Sequence, residues 1–212
     1  MITPGIMKIL HESIQIYDKL CGKSYLIAFG SKNNYKFAEV IIKQSSFWHL
    51  LGCNLEDDSN DGKNDTYMKC KNREDISEKV SSIHSFSEIK EKSTAMQNVF
   101  DFIEKANQIK IGYAIGCPEE YIFKIGTGNN LGIIGYDYPN KGKPNLLFPK
   151  SAQLKALSKI SKDTYKVIMI LSKDISQRDY NNIEYEIKKD VYLEIIKFLP
   201  SSIKVSLSVA SK

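Results

Sequence analysis

His49 lies in the run Phe47-Trp48-His49-Leu50-Leu51-Gly52, among large apolar groups and just after a stretch rich in β-branched residues. Imidazole titrates near neutral pH, so a histidine held rigidly by such neighbours can take or give a proton. It can equally be a histidine at the edge of the core, bonded to a carbonyl. Lys150 and Ser151 close the run Leu146-Leu147-Phe148-Pro149-Lys150-Ser151. An ammonium there could stabilise a phosphorane-like charge, and the hydroxyl could bond a phosphate. As a helix N-cap, Ser151 would also set backbone amides near an anion, although a plain cap after a proline turn reads the same way. The polar stretch from Lys173 to Tyr180 contains Arg178, one of only two arginines among 30 basic residues. A bidentate phosphate contact would account for it, and so would an ion pair with Asp174 or Asp179.

Charge is distributed unevenly around these segments. Residues 1–106 carry 14 basic against 15 acidic side chains, and residues 107–212 carry 16 against 10. The window 141–173 holds eight lysines and one acid, Asp163. A field concentrated like that suits a polyanion, though a lysine-coated solvated surface has the same composition. Lys155, Lys159, Lys162 and Lys166 follow Lys150 at spacings that make one basic face while a helix lasts, and such a face can track a phosphate backbone. Tyr113, Tyr121, Tyr136 and Tyr138 could stack on bases, although sheet packing is their more ordinary use.

Other chemistries find no support. The cysteines at 21, 53, 70 and 117 form no C-x-x-C pair, and His11, His49 and His84 lack zinc-like spacing. The cysteines read as free thiols in a reducing cytosol. Asp57-Asp58-Ser59-Asn60-Asp61-Gly62 imitates the start of a calcium loop, but Met68 stands where a bidentate Glu is needed. The stretch 54–66 therefore reads as an acidic, mobile surface loop. Gly126-Thr127-Gly128 lacks the third glycine of a dinucleotide fingerprint and reads as a hairpin turn. No phosphate-binding P-loop and no serine nucleophile elbow occur. No cofactor and no metal is expected. No run approaches the length of a membrane span, and the first 20 residues read as an amphipathic helix rather than an export signal, so a cytoplasmic location is expected.

The elements that must position these residues follow from periodicity. Apolar residues 6, 9, 10, 14, 17 and 20 predict a helix over 4–20. Strands are predicted over 24–29 and 35–43, joined by a turn, then a short helix over 47–51 capped by Ser45 or Ser46 and closed by Gly52. Helices are predicted over 74–91 and 93–107, the second capped by Ser93 or Thr94. Strands at 110–115, 120–125 and 131–138 predict an antiparallel meander. A helix is predicted over 151–161, strands over 165–171 and 183–187, a helix over 191–199 and a terminal strand over 203–209. With 42% apolar and 26% charged residues, the chain is globular. The fold class is α+β, with N-terminal helices packed on an antiparallel β-meander in a single domain over 1–212.

The stretch 36–188 resembles a known family. It contains "SSFWHLLGCNL", "IKIGYAIGCPEEYIFKIGTGNNLGIIGYDYP", "NLLFPKSAQLKAL" and "YKVIMILSK". This pattern is similar to the phage-associated branch of the barnase–EndoU–colicin–RelE nuclease-like superfamily, in which an aromatic-x-His-Leu-x-Gly motif precedes the helices. The resemblance implies metal-independent RNA cleavage through the ribose 2′-hydroxyl on a barnase/RelE-like fold. His49 matches the motif histidine, and Lys150 and Ser151 match a late turn more loosely. The helix 4–20 and the tail 191–212 lie outside the pattern. The expected catalytic set is His49, Lys150, Ser151 and Arg178, with Lys155, Lys159, Lys173 and Tyr180 contacting RNA. The expected partners are RNA and a cognate inhibitor or phage or host protein, with no membrane. The alternative is a non-catalytic RNA- or protein-binding phage accessory protein on the same fold.

Overall fold

The structure is a computed structural model and describes residues 2–114, 123–138 and 146–207. Helix α1 (Pro4–Asp18) starts where the Thr3 side chain accepts the Ile6 amide, with Pro4 at its first position. Its buried stripe runs from Ile6 to Tyr17. Strands β1 (Lys23–Ser31) and β2 (Asn34–Ile41) form a hairpin whose Asn33 takes φ 65°. Next come α2 (Phe47–Leu51), β3 (Cys53–Leu55), α3 (Asn60–Lys71), β4 (Val80–Ser82) and α4 (Phe86–Val99). The second half contributes β5 (Lys110–Tyr113), β6 (Ile125–Gly128), β7 (Ile133–Asp137), β8 (Leu146–Gln153), β9 (Thr164–Asp174), β10 (Asn182–Glu186) and α5 (Tyr192–Ile195).

The large sheet has eight strands in the order β1-β2-β8-β7-β6-β5-β9-β10, and β9 also pairs with β1. The pairings of the first seven therefore run round a closed circuit. Strands β5 to β8 pair antiparallel in chain order, and β2 pairs parallel with β8. One face of this sheet joins α1, α2 and α4 in a core containing Tyr25, Ile27, Val40, Ile134, Tyr136 and Ile170. The other face of β1 and β9, through Leu26, Ala28, Met169 and Leu171, is covered by α5 and the segment after it. The chain is thus a mixed α+β protein.

Several sequence expectations are corrected. Residues 151–161 are not a helix. Strand β8 runs through Ser151 to Gln153, and only a 3-10 turn, Leu157–Lys159, follows. Ser151 is therefore no helix N-cap, and Lys155, Lys159, Lys162 and Lys166 do not share a helical face. The cause is at Pro149, which sits beside a bulge where a missing amide is tolerated, so the proline does not end the strand. Gly126 to Gly128 form strand β6, not a turn; a Cβ at Gly128 would lie 2.5 Å from the Gly132 carbonyl oxygen. The stretch 54–66 is an exposed loop only over residues 56–59. The Ser59 side chain accepts the Gly62 amide and starts α3, which buries Thr66, Tyr67 and Cys70. Helix α4 begins at a capping box of Ser85 and Glu88 and ends at Val99. Ser93 does not cap it but is buried and bonded to Ser13 of α1 at 2.8 Å. Cys117, Tyr121 and the lysines at 141 and 143 lie outside the described residues.

Candidate active site

His49 stands on a rigid seat. Tyr17 donates its hydroxyl to the Lys43 carbonyl at 2.6 Å, fixing the link from β2 to α2. Its ring stacks on Phe100 at 4.9 Å and meets the edges of Phe47 and Tyr67. Each such ring pair contributes about 0.5–1.5 kcal/mol beyond burial. Trp48 is buried and donates its indole N–H to the Lys63 carbonyl at 3.2 Å, tying α2 to α3. Gly52 ends α2 at φ 69°, and the His84 ring packs where its Cβ would be. The apolar members of α2 face inward, which leaves the His49 side chain exposed. Among the described residues it makes no hydrogen bond to a carbonyl. Its pKa is held below the ordinary histidine value, first by desolvation, then by the Lys63 charge and the Lys150 charge, against an opposing pull from Asp58. Lys63 is itself paired with Asp58 at 2.9 Å.

Lys150 enters this cluster from β8. Gly135 opposes Ser151 while Tyr136 opposes Pro149, so Lys150 is the extra residue of the β7–β8 bulge. A bulged residue is re-aimed out of the ladder. Its ammonium lies 3.6 Å from the Asp137 carboxylate and is part-exposed. Ser151 is half-buried on β8. Lys43 lies over the Phe148 ring at 5.2 Å, placing another cation close by. Residues opposite one another in a ladder share a face, and so do residues two apart in a strand. Glu39 opposes Leu146 and Asp137 opposes Phe148. Glu39, Leu146, Phe148 and Asp137 therefore share the face turned away from the Val40, Leu147 and Tyr136 core.

A second polar cluster lies on that face. Tyr180 donates to Glu39 Oε1 at 2.6 Å and lies 3.0 Å from the Ser24 hydroxyl. Lys173 lies 4.0 Å from Glu39 Oε1 and 4.6 Å from the centre of the Tyr180 ring, and donates to the Arg178 carbonyl at 2.8 Å. Tyr180 is 1% exposed, so its ring is not available to stack on a base. Burial and the Glu39 contact push its pKa up, and it stays protonated. The Arg178 side chain is exposed, and no ion pair joins it to Asp174 or Asp179 among the described residues. Lys155 and Lys159 are exposed beyond the end of β8. The structure thus gathers His49 with Lys150, and Lys173 with Tyr180 and the backbone of Arg178. Tyr136 is buried, whereas Tyr138 is 42% exposed.

Sequence reasoning missed Lys63, Asp58 and Asp137. Lys63 was hidden because its helix has few apolar residues, and neither Asp58, in the loop before that helix, nor Asp137 has a local pattern that marks it. The thiols of Cys21, Cys53 and Cys70 are free, and burial pushes them up to about 11, about 12 and about 12. They are inert near neutral pH. A larger groove of about 920 Å³ between α1 and residues 73–77 shares no residue with the His49 cluster.

The family described as phage-Barnase-EndoU-ColicinE5/D-RelE like nuclease 4 matches residues 9–189. The chain belongs to this family. Its members are named as nucleases of the barnase, EndoU, colicin and RelE type. The match begins within α1 and ends before α5. No curated protein and no solved structure matches the chain. No helix among the described residues is long and apolar enough to cross a membrane.

Proposed function

We propose that this nuclease-family chain is a metal-independent endoribonuclease of phage, toxin or defence type, acting on RNA in the cytoplasm. The observation that carries this reading is the rigidly seated His49 at the surface, with Lys63 and Lys150 beside it, its pKa lowered by partial desolvation and by those two charges. A histidine in that state is neutral near pH 7 and ready to accept a proton.

In the proposed reaction His49 takes the proton from the ribose 2′-hydroxyl. The 2′-oxygen attacks phosphorus, and the bond from phosphorus to the 5′-oxygen breaks. Lys150 stabilises the charge that grows on the non-bridging oxygens. Lys63 supplies a proton to the departing 5′-oxygen, and solvent returns the protons of His49 and Lys63 to their starting places. The products are a 2′,3′-cyclic phosphate and a 5′-hydroxyl. Ser151 is a phosphate-positioning donor on the same strand as Lys150. Lys155, Lys159, Lys173 and Arg178 extend the positive field along the RNA.

The test is the identity of the ends. Labelled RNA treated in excess EDTA should yield fragments ending in 2′,3′-cyclic phosphate. Fragments ending in 3′-hydroxyl and 5′-phosphate would overturn the mechanism.

A further inference from the structure

A small well of about 170 Å³ opens where β5 and β6 meet the turns at residues 129–130 and 157–158. Gln108, Asn129, Asn130, Ser158 and Thr164 line it with amides and hydroxyls, Lys110 with an ammonium, and Gly128 with bare backbone. No acid and no aromatic ring lines it. Asn129 is held in place, since its Oδ1 accepts the Leu131 and Gly132 amides at 2.8 and 3.2 Å. Its Nδ2 donors are unused among the described residues. Gly128, Lys110 and Lys166 stand opposite one another across β6, β5 and β9. Opposed residues share a face, so an open position adjoins two neighbouring ammonium groups. Both lysines are exposed, and among the described residues neither has a carboxylate partner. Like charges directly opposite in a ladder are destabilising, and an anion beside them would remove that repulsion.

We propose that this well and its lysine pair bind a backbone phosphate of the RNA, away from the bond that is cut. The inference rests on the ribonuclease reading and adds a contact that reading lacks. Phosphate oxygens of nucleic acids are bonded mainly by lysine, arginine, amide and hydroxyl side chains, which is the lining found here. A base would need a ring to stack on, and the well offers none. Position agrees with chemistry. Ile133 opposes Gly128, and Asp137 lies four residues further along β7 on the same face. One strand spacing and four residues of strand put the well about 14 Å from Asp137. Lys150 meets Asp137 at 3.6 Å. One RNA strand could therefore set its scissile phosphate at Lys150 and another phosphate, a few nucleotides along, between Lys110 and Lys166.

The experiment is fluorescence anisotropy of a labelled 2′-O-methyl RNA oligonucleotide, which cannot be cut through a 2′-hydroxyl, titrated with the intact protein over a range of salt concentrations. Lys110→Gln combined with Lys166→Gln is measured beside the wild type. A control combines Lys8→Gln with Lys90→Gln, an equal change of charge at exposed positions on α1 and α4. Thermal melts verify that both double variants fold. The expected result is an affinity about tenfold lower in the first variant and little changed in the control. The slope of log affinity against log salt should also fall in the first variant by about 0.7, the share of one phosphate on a single strand. No loss in the first variant, or equal losses in both, overturns the proposal. Inorganic phosphate is the second probe. If it shifts the amide resonances of Asn129 and Ser158 while RNA affinity is the same in wild type and first variant, the well serves a free phosphate and the RNA assignment falls. The two readings fail separately. RNA cleavage with unaltered RNA affinity in the first variant would remove this site and leave the ribonuclease. Binding that depends on Lys110 and Lys166, with no cleavage of unmodified RNA, would keep the site and remove the ribonuclease.

Discussion

The Lys150 ammonium lies 3.6 Å from the Asp137 carboxylate because a bulge makes Lys150 an extra residue opposite Gly135 and Tyr136. The bulge is what carries a strand residue out of the ladder toward His49. Lys150→Ala should lower kcat by about 10²–10³, the cost of removing one group that stabilises transition-state charge. Asp137→Asn should cost less, since Asp137 holds the lysine without meeting the substrate. Single-turnover cleavage of a labelled RNA measures both. An unchanged rate in Lys150→Ala would contradict the assignment.

The depressed His49 pKa fixes a direction for the pH profile. The plot of kcat/KM against pH should rise through a midpoint below about 6.5, the unperturbed histidine value. Lys63→Met should lower the maximum, because it removes the proposed proton donor, and should move the remaining midpoint upward, because it removes a neighbouring cation and leaves Asp58, which pulls the other way. Stability is linked with the same sign. The unfolded histidine binds a proton before the folded one does, so this contribution is present above about pH 6.5 and is lost as pH falls through and below it. Denaturant melts of wild type and His49→Gln across that range should diverge accordingly. A wild-type midpoint above 6.5 contradicts the geometry.

Trp48 and Gly52 hold the histidine from the core side of α2. Trp48→Ala removes a buried ring and leaves the Lys63 carbonyl without its indole donor, and should cost about 3–5 kcal/mol. Gly52→Ala puts a side chain at φ 69° and into the His84 ring, and should cost more than about 1 kcal/mol. Urea melts check both. Near-wild-type stability in both variants would show that α2 is not held as described.

Ser85→Ala breaks the capping box that starts α4 and should cost about 1 kcal/mol, seen as a lower urea midpoint at unchanged slope. Activity per folded molecule should stay near the wild-type level, because α4 packs against α2 and β8 but contributes no side chain to the ion pairs around His49 and Lys150. A loss of rate exceeding the loss of folded protein would place α4 nearer the chemistry than the structure has it.

Strong periodicity made much of the fold legible. The α1 stripe, the β1–β2 hairpin, the short α2 with its glycine stop and the long β9 all follow from local patterns. The reading failed where tertiary contacts override those patterns. Helix α3 has little apolar content and forms because Tyr67 and Cys70 find a core and Trp48 binds its backbone. Pro149 looked like a strand end, yet a bulge accommodates it. The pattern Ala152, Leu154, Ala156, Leu157, Ile160 suits a helix equally well, but Leu154 is 42% exposed on an extended path. In the site, His49 was visible as a polar group in an apolar motif. Lys63 and Asp58, which act on it, and Asp137, which pairs with Lys150, come from other elements, and no spacing in the chain announces them. Tyr180 was taken for an RNA contact, yet it is buried, because burial cannot be read from one polar loop.

The central claim is tested by incubating labelled RNA with purified protein in excess EDTA, with His49→Ala alongside and its folding verified by a thermal melt. The account predicts cleavage by the wild type and a loss of about 10²-fold or more in the variant, the usual worth of a general base. Turnover that survives in a folded His49→Ala protein would contradict it.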